Sequence, residues 1–333
     1  ERGVEVIVRD LKTWVSNLAP TDPDYEHHLL EALWVFQSVD EINEPLLRKV
    51  LNAQNPQARA AAVRVLNYWY HKIDDGFKLL QDAINDEHPK VRLEAVIALR
   101  HEKTAKAAST ALTTLESRMD RFLDFALWQT VRELEPYWID KIAVDVIFFS
   151  TPKQAAYALK SVTHSKAVSV LLRLYQQHKV PQEYHKDVFN SVAKWGSTND
   201  FDILMDLAMN ENEIHTKRRH SYLAALEEAA RQQNKKPSRN LGKIIRFTEA
   251  DNQQVKQSAI KLIGYWDLKQ YRNKLESLIQ EGDQETKQTA LNALTLLGDE
   301  ESKKILIELS SQNQSSELRL MAVRRLISLD IKK

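Results

Sequence analysis

The chain has no cysteine in its 333 residues. That excludes disulfides, thiolate metal sites, iron–sulfur clusters, a cysteine nucleophile and c-type haem attachment within it, while leaving the compartment open. It carries 7 glycines and 9 prolines, too few for a β-rich chain that must turn about every ten residues. An excess of one charge is missing as well: 47 Lys and Arg stand against 46 Asp and Glu, a net charge of +1. Dedicated nucleic-acid binders show a basic excess or stripe, because neutralising phosphates drives their binding. No apolar run reaches the roughly 18 residues a membrane-crossing helix needs. A glycine-rich phosphate loop, a Gly-x-Ser-x-Gly elbow and a His-Glu-x-x-His metal spacing are all absent. The opening Glu1-Arg2-Gly3 is no signal peptide, and the chain is expected to be a piece of a longer or processed protein.

What is present is a repeat. A basic residue, two variable positions, an alanine, a branched aliphatic and a later aliphatic recur around Arg59-Ala62-Val63-Leu66, Arg92-Ala95-Val96-Leu99, Lys256-Ala259-Ile260-Ile263, Lys287-Ala290-Leu291-Leu294 and Arg319-Ala322-Val323-Leu326. The alanine returns after 33 residues in the first half, then after 31 and 32 in the second. A fixed period of that length marks a solenoid of helical pairs. The alanines are small where two helices of a pair approach closely. Val63, Leu66, Val96 and Leu99 are expected in the shared core. Arg59 and Arg92 are expected at the solenoid edge, paired with a loop carboxylate such as Asp86.

Helical periodicity continues along the chain, with stops expected at Gly196, Gly264, Gly282 and Gly298 and at 135–138, and a polar loop at 234–240. The predicted fold is all-α, a right-handed α-α superhelix of roughly 18–20 helices. Residues 1–140 form N-terminal repeats with a distinctive insert, 141–250 irregular repeats, and 251–333 short C-terminal repeats, all in one continuous solenoid.

Candidate chemistry is sparse. His27 and His28 are adjacent and point about 100° apart on a helix, so they do not chelate one ion together. His215 and His220, five apart, fare no better. Glu227-Glu228 reads as solvated charge rather than an acid/base pair. The most basic stretch, 215–246, holds Arg218, Arg219 and Lys236 and follows acidic Asp200, Asp202, Asp206, Glu211 and Glu213. Complementary faces of neighbouring helices explain it best; the alternative is an anion-binding face that grips a DNA backbone. Trp69 and Tyr70 end a helix beside Tyr68, and at least one of the three must face solvent. No catalytic residue, cofactor, metal or small-molecule substrate is assigned. The residues singled out as an interaction surface are Tyr25, His27, His28, Trp69, Tyr70, Asp120, Trp138, Arg218, Arg219 and Lys236.

The Pro–x–basic–Ala–aliphatic core resembles HEAT repeats, and the C-terminal ones resemble the short type of phycobilin-lyase-like proteins. Four segments go further: Asp24-Tyr25-Glu26-His27-His28-Leu29-Leu30-Glu31-Ala32-Leu33-Trp34, the run around Arg59, Asp86-Glu87-His88-Pro89-Lys90-Val91-Arg92-Leu93-Glu94-Ala95, and the stretch from Met119-Asp120-Arg121-Phe122 to Glu135-Pro136-Tyr137-Trp138. Together they resemble the HEAT region of large bacterial "membrane-bound dehydrogenase" or PVC-type haem-binding proteins. The resemblance implies a periplasmic or exported multidomain redox protein, in which this segment is a non-enzymatic scaffold. Its implied partners are β-propeller and c-type cytochrome domains of the same parent chain. With no Cys-x-x-Cys-His here, no redox role passes to any residue of this chain. The enzyme alternatives are a HEAT-like DNA glycosylase or a bilin lyase.

Overall fold

The computed structural model describes residues 2–144, 148–163, 165–311 and 314–330. Among them the secondary structure is helical throughout, with nineteen α-helices joined by short turns and 3-10 segments. The fold class is an all-α solenoid, and it divides into two compact units, Glu1–Val162 with Lys179–Pro181, and Thr163–His178 with Gln182–Lys333.

In the first unit, α1 (Arg2–Ser16) and α2 (Tyr25–Ser38) precede three similar helical pairs. These are α3 (Glu44–Leu51) with α4 (Pro56–Trp69), α5 (Gly76–Ala83) with α6 (Pro89–Leu99), and α7 (Ala105–Leu112) with α8 (Arg121–Glu133). Helices α9 (Glu135–Val144) and α10 (Pro152–Ser161) close the unit. One layer runs α2, α4, α6, α8, α10, each packed on the next; α3, α5 and α7 back it from the other side.

Two successive repeats, at α4 and α6, begin in the same way. Asn55 and His88 sit just before Pro56 and Pro89 and accept a hydrogen bond from the backbone N–H two residues on, at 2.8 and 3.2 Å. Proline is tolerated there because its missing N–H would be unpaired in any first turn. The alanine reaches the helix contact from that start and equally on α15, α17 and α19, which begin without proline. Ala62, Ala95, Ala259, Ala290 and Ala322 are all fully buried. So are Val63, Leu66, Val96 and Leu99. Helix α4 packs more extensively on α6 than on α3, the first helix of its own pair, and α15 on α17 in the same way.

The arginine one turn earlier ties repeats together. Arg59 donates from Nε and Nη2 to both carboxylate oxygens of Asp86, at 2.8 and 3.0 Å, and from Nη1 to the carbonyls of Ala53 and Gln54. Arg92 repeats the second half, donating to the carbonyls of Asp86 and Glu87 at 2.8 Å, and then reaches the Arg118 carbonyl at 2.7 Å. Asp86 therefore pairs with Arg59 through its side chain and with Arg92 through its backbone. Both guanidinium groups are buried under the loops rather than displayed at an edge.

The second unit contains α11 (Ser165–Gln176), α12 (His185–Trp195), α13 (Thr198–Met209), α14 (Glu213–Gln233) and α15 (Gln253–Tyr265). It ends with α16 (Arg272–Glu281), α17 (Gln284–Leu297), α18 (Glu300–Leu309) and α19 (Ser316–Asp330). Here the layer runs α12, α14, α15, α17, α19, backed by α11, α13, a 3-10 segment at Leu241–Phe247, α16 and α18.

Helix α8 ends at Glu133, directly before 135–138 as expected, and Glu135 and Pro136 then begin α9, where proline in the first turn is permitted. One expected stop falls elsewhere. Gly264 lies inside α15, while Gly282 and Gly298 do cap α16 and α17. Gly264 has a packing reason: a Cβ there would meet the Cα and carbonyl oxygen of Ala293 on α17 at 2.8 and 2.9 Å. Glycine lets the two backbones approach. Gly264→Ala gains up to about 1 kcal/mol of helix propensity but overpacks a backbone contact costing about 1–3 kcal/mol. The variant should melt a few degrees below the wild type by calorimetry; an unchanged or higher Tm would show that α15 and α17 have room to part.

Candidate functional site

The residues of the sequence-based surface separate cleanly in the structure. Trp69, Tyr70 and Trp138 are buried, at 1%, 5% and 0% exposure, so they belong to the core and not to an interface. Trp138 donates its indole N–H to the Val131 carbonyl at 3.0 Å and meets Phe149 edge-on. Tyr70 donates its hydroxyl to Glu102 at 3.2 Å; burial and that carboxylate push its pKa up to about 12. The exposed member of the helix-end trio is Tyr68, at 68%.

Asp120 is the N-cap of α8, accepting from the backbone N–H of Phe122 and Leu123 at 2.8 and 2.9 Å. On α2, His27 faces Glu31 across 3.7 Å, Tyr25 lies under the Lys49 ammonium, and His28 meets Trp14 edge-on. No group of three His, Cys, Asp or Glu that could hold a metal ion is gathered among the described residues. None of the described helices is long and apolar enough to cross a membrane.

What sequence reasoning missed lies on α8, just past Asp120. Phe122 and Phe125 are 60% and 61% exposed. Trp128 stacks on Phe125 with ring centroids 5.7 Å apart, and Arg121 and Arg132 lie over Phe122 and Trp128. Meanwhile Leu123, Ala126, Leu127, Thr130 and Val131 fill the opposite, core-facing side, and Thr130 bonds the Val96 carbonyl on α6. The signal was in the sequence. A core-facing helix needs apolar residues on one stripe, whereas α8 has them around most of its circumference.

In the second unit the basic stretch meets its acidic neighbour, as complementary faces would. Arg239 pairs with Asp206 at 2.6 Å, Arg246 with Glu211, and Lys217 with Glu213. Asp202 accepts from the Ser238 hydroxyl and from two backbone N–H groups. Arg219 is spent on the carbonyls of Ala208 and Asn210. Glu227, expected to be solvated, instead takes Ser258 and Lys261 from α15. Lys236 is exposed.

Arg218 differs from these. Among the described residues its guanidinium has one hydrogen-bond partner, the Tyr175 hydroxyl at 3.2 Å, and no carboxylate. Behind it runs a buried relay. The Tyr175 and Tyr222 hydroxyls are 2.8 Å apart, and Tyr222 lies 2.9 Å from His215 Nδ1. Burial, with His178 and Arg218 nearby, holds the His215 pKa below its ordinary value. His215, Tyr222 and Tyr175 thus form one chain of hydrogen bonds, which Arg218 enters by donating to the Tyr175 hydroxyl. Phe189 closes the cluster edge-on to both tyrosines.

A family model described as HEAT repeats matches residues 44–124 and 242–327. No curated protein matches the sequence. Among solved structures, an engineered protein aligns over 97% of this chain and 99% of its own length at 15% identity, with a TM-score of 0.36. Kap121p, a karyopherin, aligns over 96% of this chain at 13% identity and TM-score 0.45, and Kap95p, from a study of its binding to RanGDP, over 97% at 13% and 0.44. The chain spans 38% of Kap121p and 51% of Kap95p.

The His215 relay has a pH signature. Because the folded state holds this imidazole below its ordinary pKa, the unfolded chain takes up a proton first as pH falls through about 6.5. Stability from the neutral form is therefore present above that pH and lost as pH drops through the folded value. His215→Asn keeps an acceptor near the Nδ1 position without titrating. Urea unfolding from pH 7.5 towards about 5 should show a smaller loss of stability in the variant; equal losses would place the titration elsewhere.

Proposed function

The chain belongs to the HEAT-repeat family, and from that premise we propose that it is a non-enzymatic scaffold that binds protein partners. The observation that carries this is the aromatic face of α8. Phe122 and Phe125 stand in solvent on a helix whose other side already fills the core. Leaving each in water forgoes about 1.5–3 kcal/mol of burial. Aromatic side chains flanked by arginine are the groups that dominate binding energy at protein interfaces. Repeat proteins offer extended surfaces of this sort because neighbouring repeats supply the core.

The finer reading is that this scaffold is the docking arm of an exported or periplasmic multidomain redox protein of the PVC-type haem-binding kind. Its partners are then the propeller and c-type cytochrome domains of the same parent chain. Support comes from the sequence resemblance of residues 24–138, and the α8 face lies in the part of that segment least like a generic repeat. No observation favours the glycosylase or bilin-lyase alternatives, and the pairing of Arg239 and Arg246 with carboxylates removes much of a phosphate-binding face.

The reading frame on either side of this segment should encode a propeller upstream and a Cys-x-x-Cys-His motif downstream; other flanking domains would overturn the redox placement. With the flanking domains purified, calorimetric titration should show binding that Phe122→Ala with Phe125→Ala weakens at least about tenfold. Their loss should leave Tm unchanged, since both rings are mostly exposed. Binding that ignores the double substitution would remove α8 from the interface.

A further inference from the structure

Between α12 and α14 lies a cleft of about 510 Å³. Its floor is apolar, formed by Phe189, Ala193 and Ala225, and its walls carry Lys186, Arg218 and His220. The acidic lining residue, Glu228, is already bonded to Arg231 at 2.8 Å. The cleft is thus cationic, and its half-buried cation, Arg218, has only a neutral hydroxyl as partner among the described residues. Five N–H donors in a fixed fork suit a carboxylate or phosphate. The relay from His215 through Tyr222 and Tyr175 holds that fork in place before anything binds, which lowers the entropic cost of binding.

A second depression, of about 350 Å³, shares His220 and Ala224 with the first and continues onto α15 and the start of α17, where Gln253, Gln257 and Glu285 line it. Gln257 is only 7% exposed, and its Oε1 has no hydrogen-bond partner among the described residues. That oxygen is sealed from the groove, and the amide nitrogen beside it is turned to the Thr286 hydroxyl at 3.5 Å. Together the two depressions form one open groove across α12, α14, α15 and α17. An enclosed pocket would suit a small molecule; an open groove crossing four helices suits a linear one. Neighbouring helix axes lie about 8–10 Å apart, so three steps span about 27 Å, the length of about eight extended residues.

We propose that this groove binds an extended acidic segment of a partner protein, with Arg218 and Lys186 receiving a carboxylate. The proposal rests on the scaffold reading and adds a second, chemically distinct surface to it. A polypeptide fits better than nucleic acid because beyond the cationic end the groove carries Gln253, Gln254 and Glu285, and the lysine lining it there, Lys261, is already paired with Glu227 at 2.9 Å. Glutamine offers both donor and acceptor, matching a peptide backbone, whereas a phosphate chain would need cations along its whole length.

The test is fluorescence anisotropy at low salt. The probe is a fluorescein-labelled peptide of about eight residues, built from Gly, Ser and Leu with two adjacent central Glu, compared with the same peptide carrying Gln at both. The Glu peptide should bind about tenfold or more tightly than the Gln peptide. Arg218→Met and, separately, Lys186→Ala should each remove much of that difference, while Lys236→Ala should not. Lys186 is exposed, so its substitution keeps the test valid if the Arg218 variant folds poorly. Equal binding of the two peptides, or binding indifferent to both substitutions, overturns the proposal. A short DNA duplex that binds more tightly than the Glu peptide and depends on Arg218 overturns it in favour of nucleic acid. The variant with Ala at 122 and 125 separates the two surfaces. If partner binding through α8 persists while the acidic peptide fails, the groove proposal falls and the scaffold reading stands.

Discussion

Close approach between successive helices of one layer, set by a buried alanine at the same place in each repeat, is the constraint on which the rest depends. A solenoid repeat cannot bury its own apolar face; it must lend that face to a neighbour. With Ala62, Ala95, Ala259, Ala290 and Ala322 all fully buried, the neighbouring backbones come near enough for larger residues one position on to interlock. Gly264 against the Ala293 backbone is a further close approach of this kind. The arginine bridges follow from this spacing. Only when the Pro-started helices of adjacent repeats lie at a fixed separation can Arg59 reach both its own loop carbonyls and Asp86 of the next repeat.

That constraint divides the side chains into two groups. Those needed for stacking are buried or bonded, including most of the charges that looked available in the sequence. The remainder includes Phe122 and Phe125 on α8, and Arg218 above its tyrosine relay. Their placement costs the fold something: apolar rings kept in water, and a half-buried cation without a counter-charge. Groups that weaken a fold without serving its packing are where binding is most economically sought.

Much of the architecture was legible in the sequence because it depends on one residue type at one interval. The alanine positions, the core aliphatics, the Arg59–Asp86 pair and the helical content all follow from the repeat. The arginine bridge was legible only in the first half. Lys256 and Arg319 stand in the same register, but there the links between repeats run through other pairs, Gln253 with Asp283 and Arg272 with Asp299. The surface was less legible, for a physical reason. Trp69 and Tyr68 are adjacent aromatics at a helix end, and which of them turns inward depends on the crossing of α4 with its neighbours, not on composition. The same holds for Trp138, which follows the end of α8 in sequence but lies within α9 and faces the core. Arg218 was singled out in the sequence, but only the structure distinguishes it from Arg219, whose donors are consumed by carbonyls.

The central claim is that stacking and binding use different residues, and one comparison of unfolding temperatures tests it. Ala62→Leu forces a larger side chain into a fully buried helix contact. A second variant carries Phe122→Ser, Phe125→Ser and Lys186→Ser together, all at exposed positions. The account predicts that the alanine variant melts several degrees lower, in line with about 1–3 kcal/mol of overpacking, and that the triple variant melts at or near the wild-type temperature. A triple variant that melts as low as the alanine variant, or an alanine variant that melts like wild type, would contradict it.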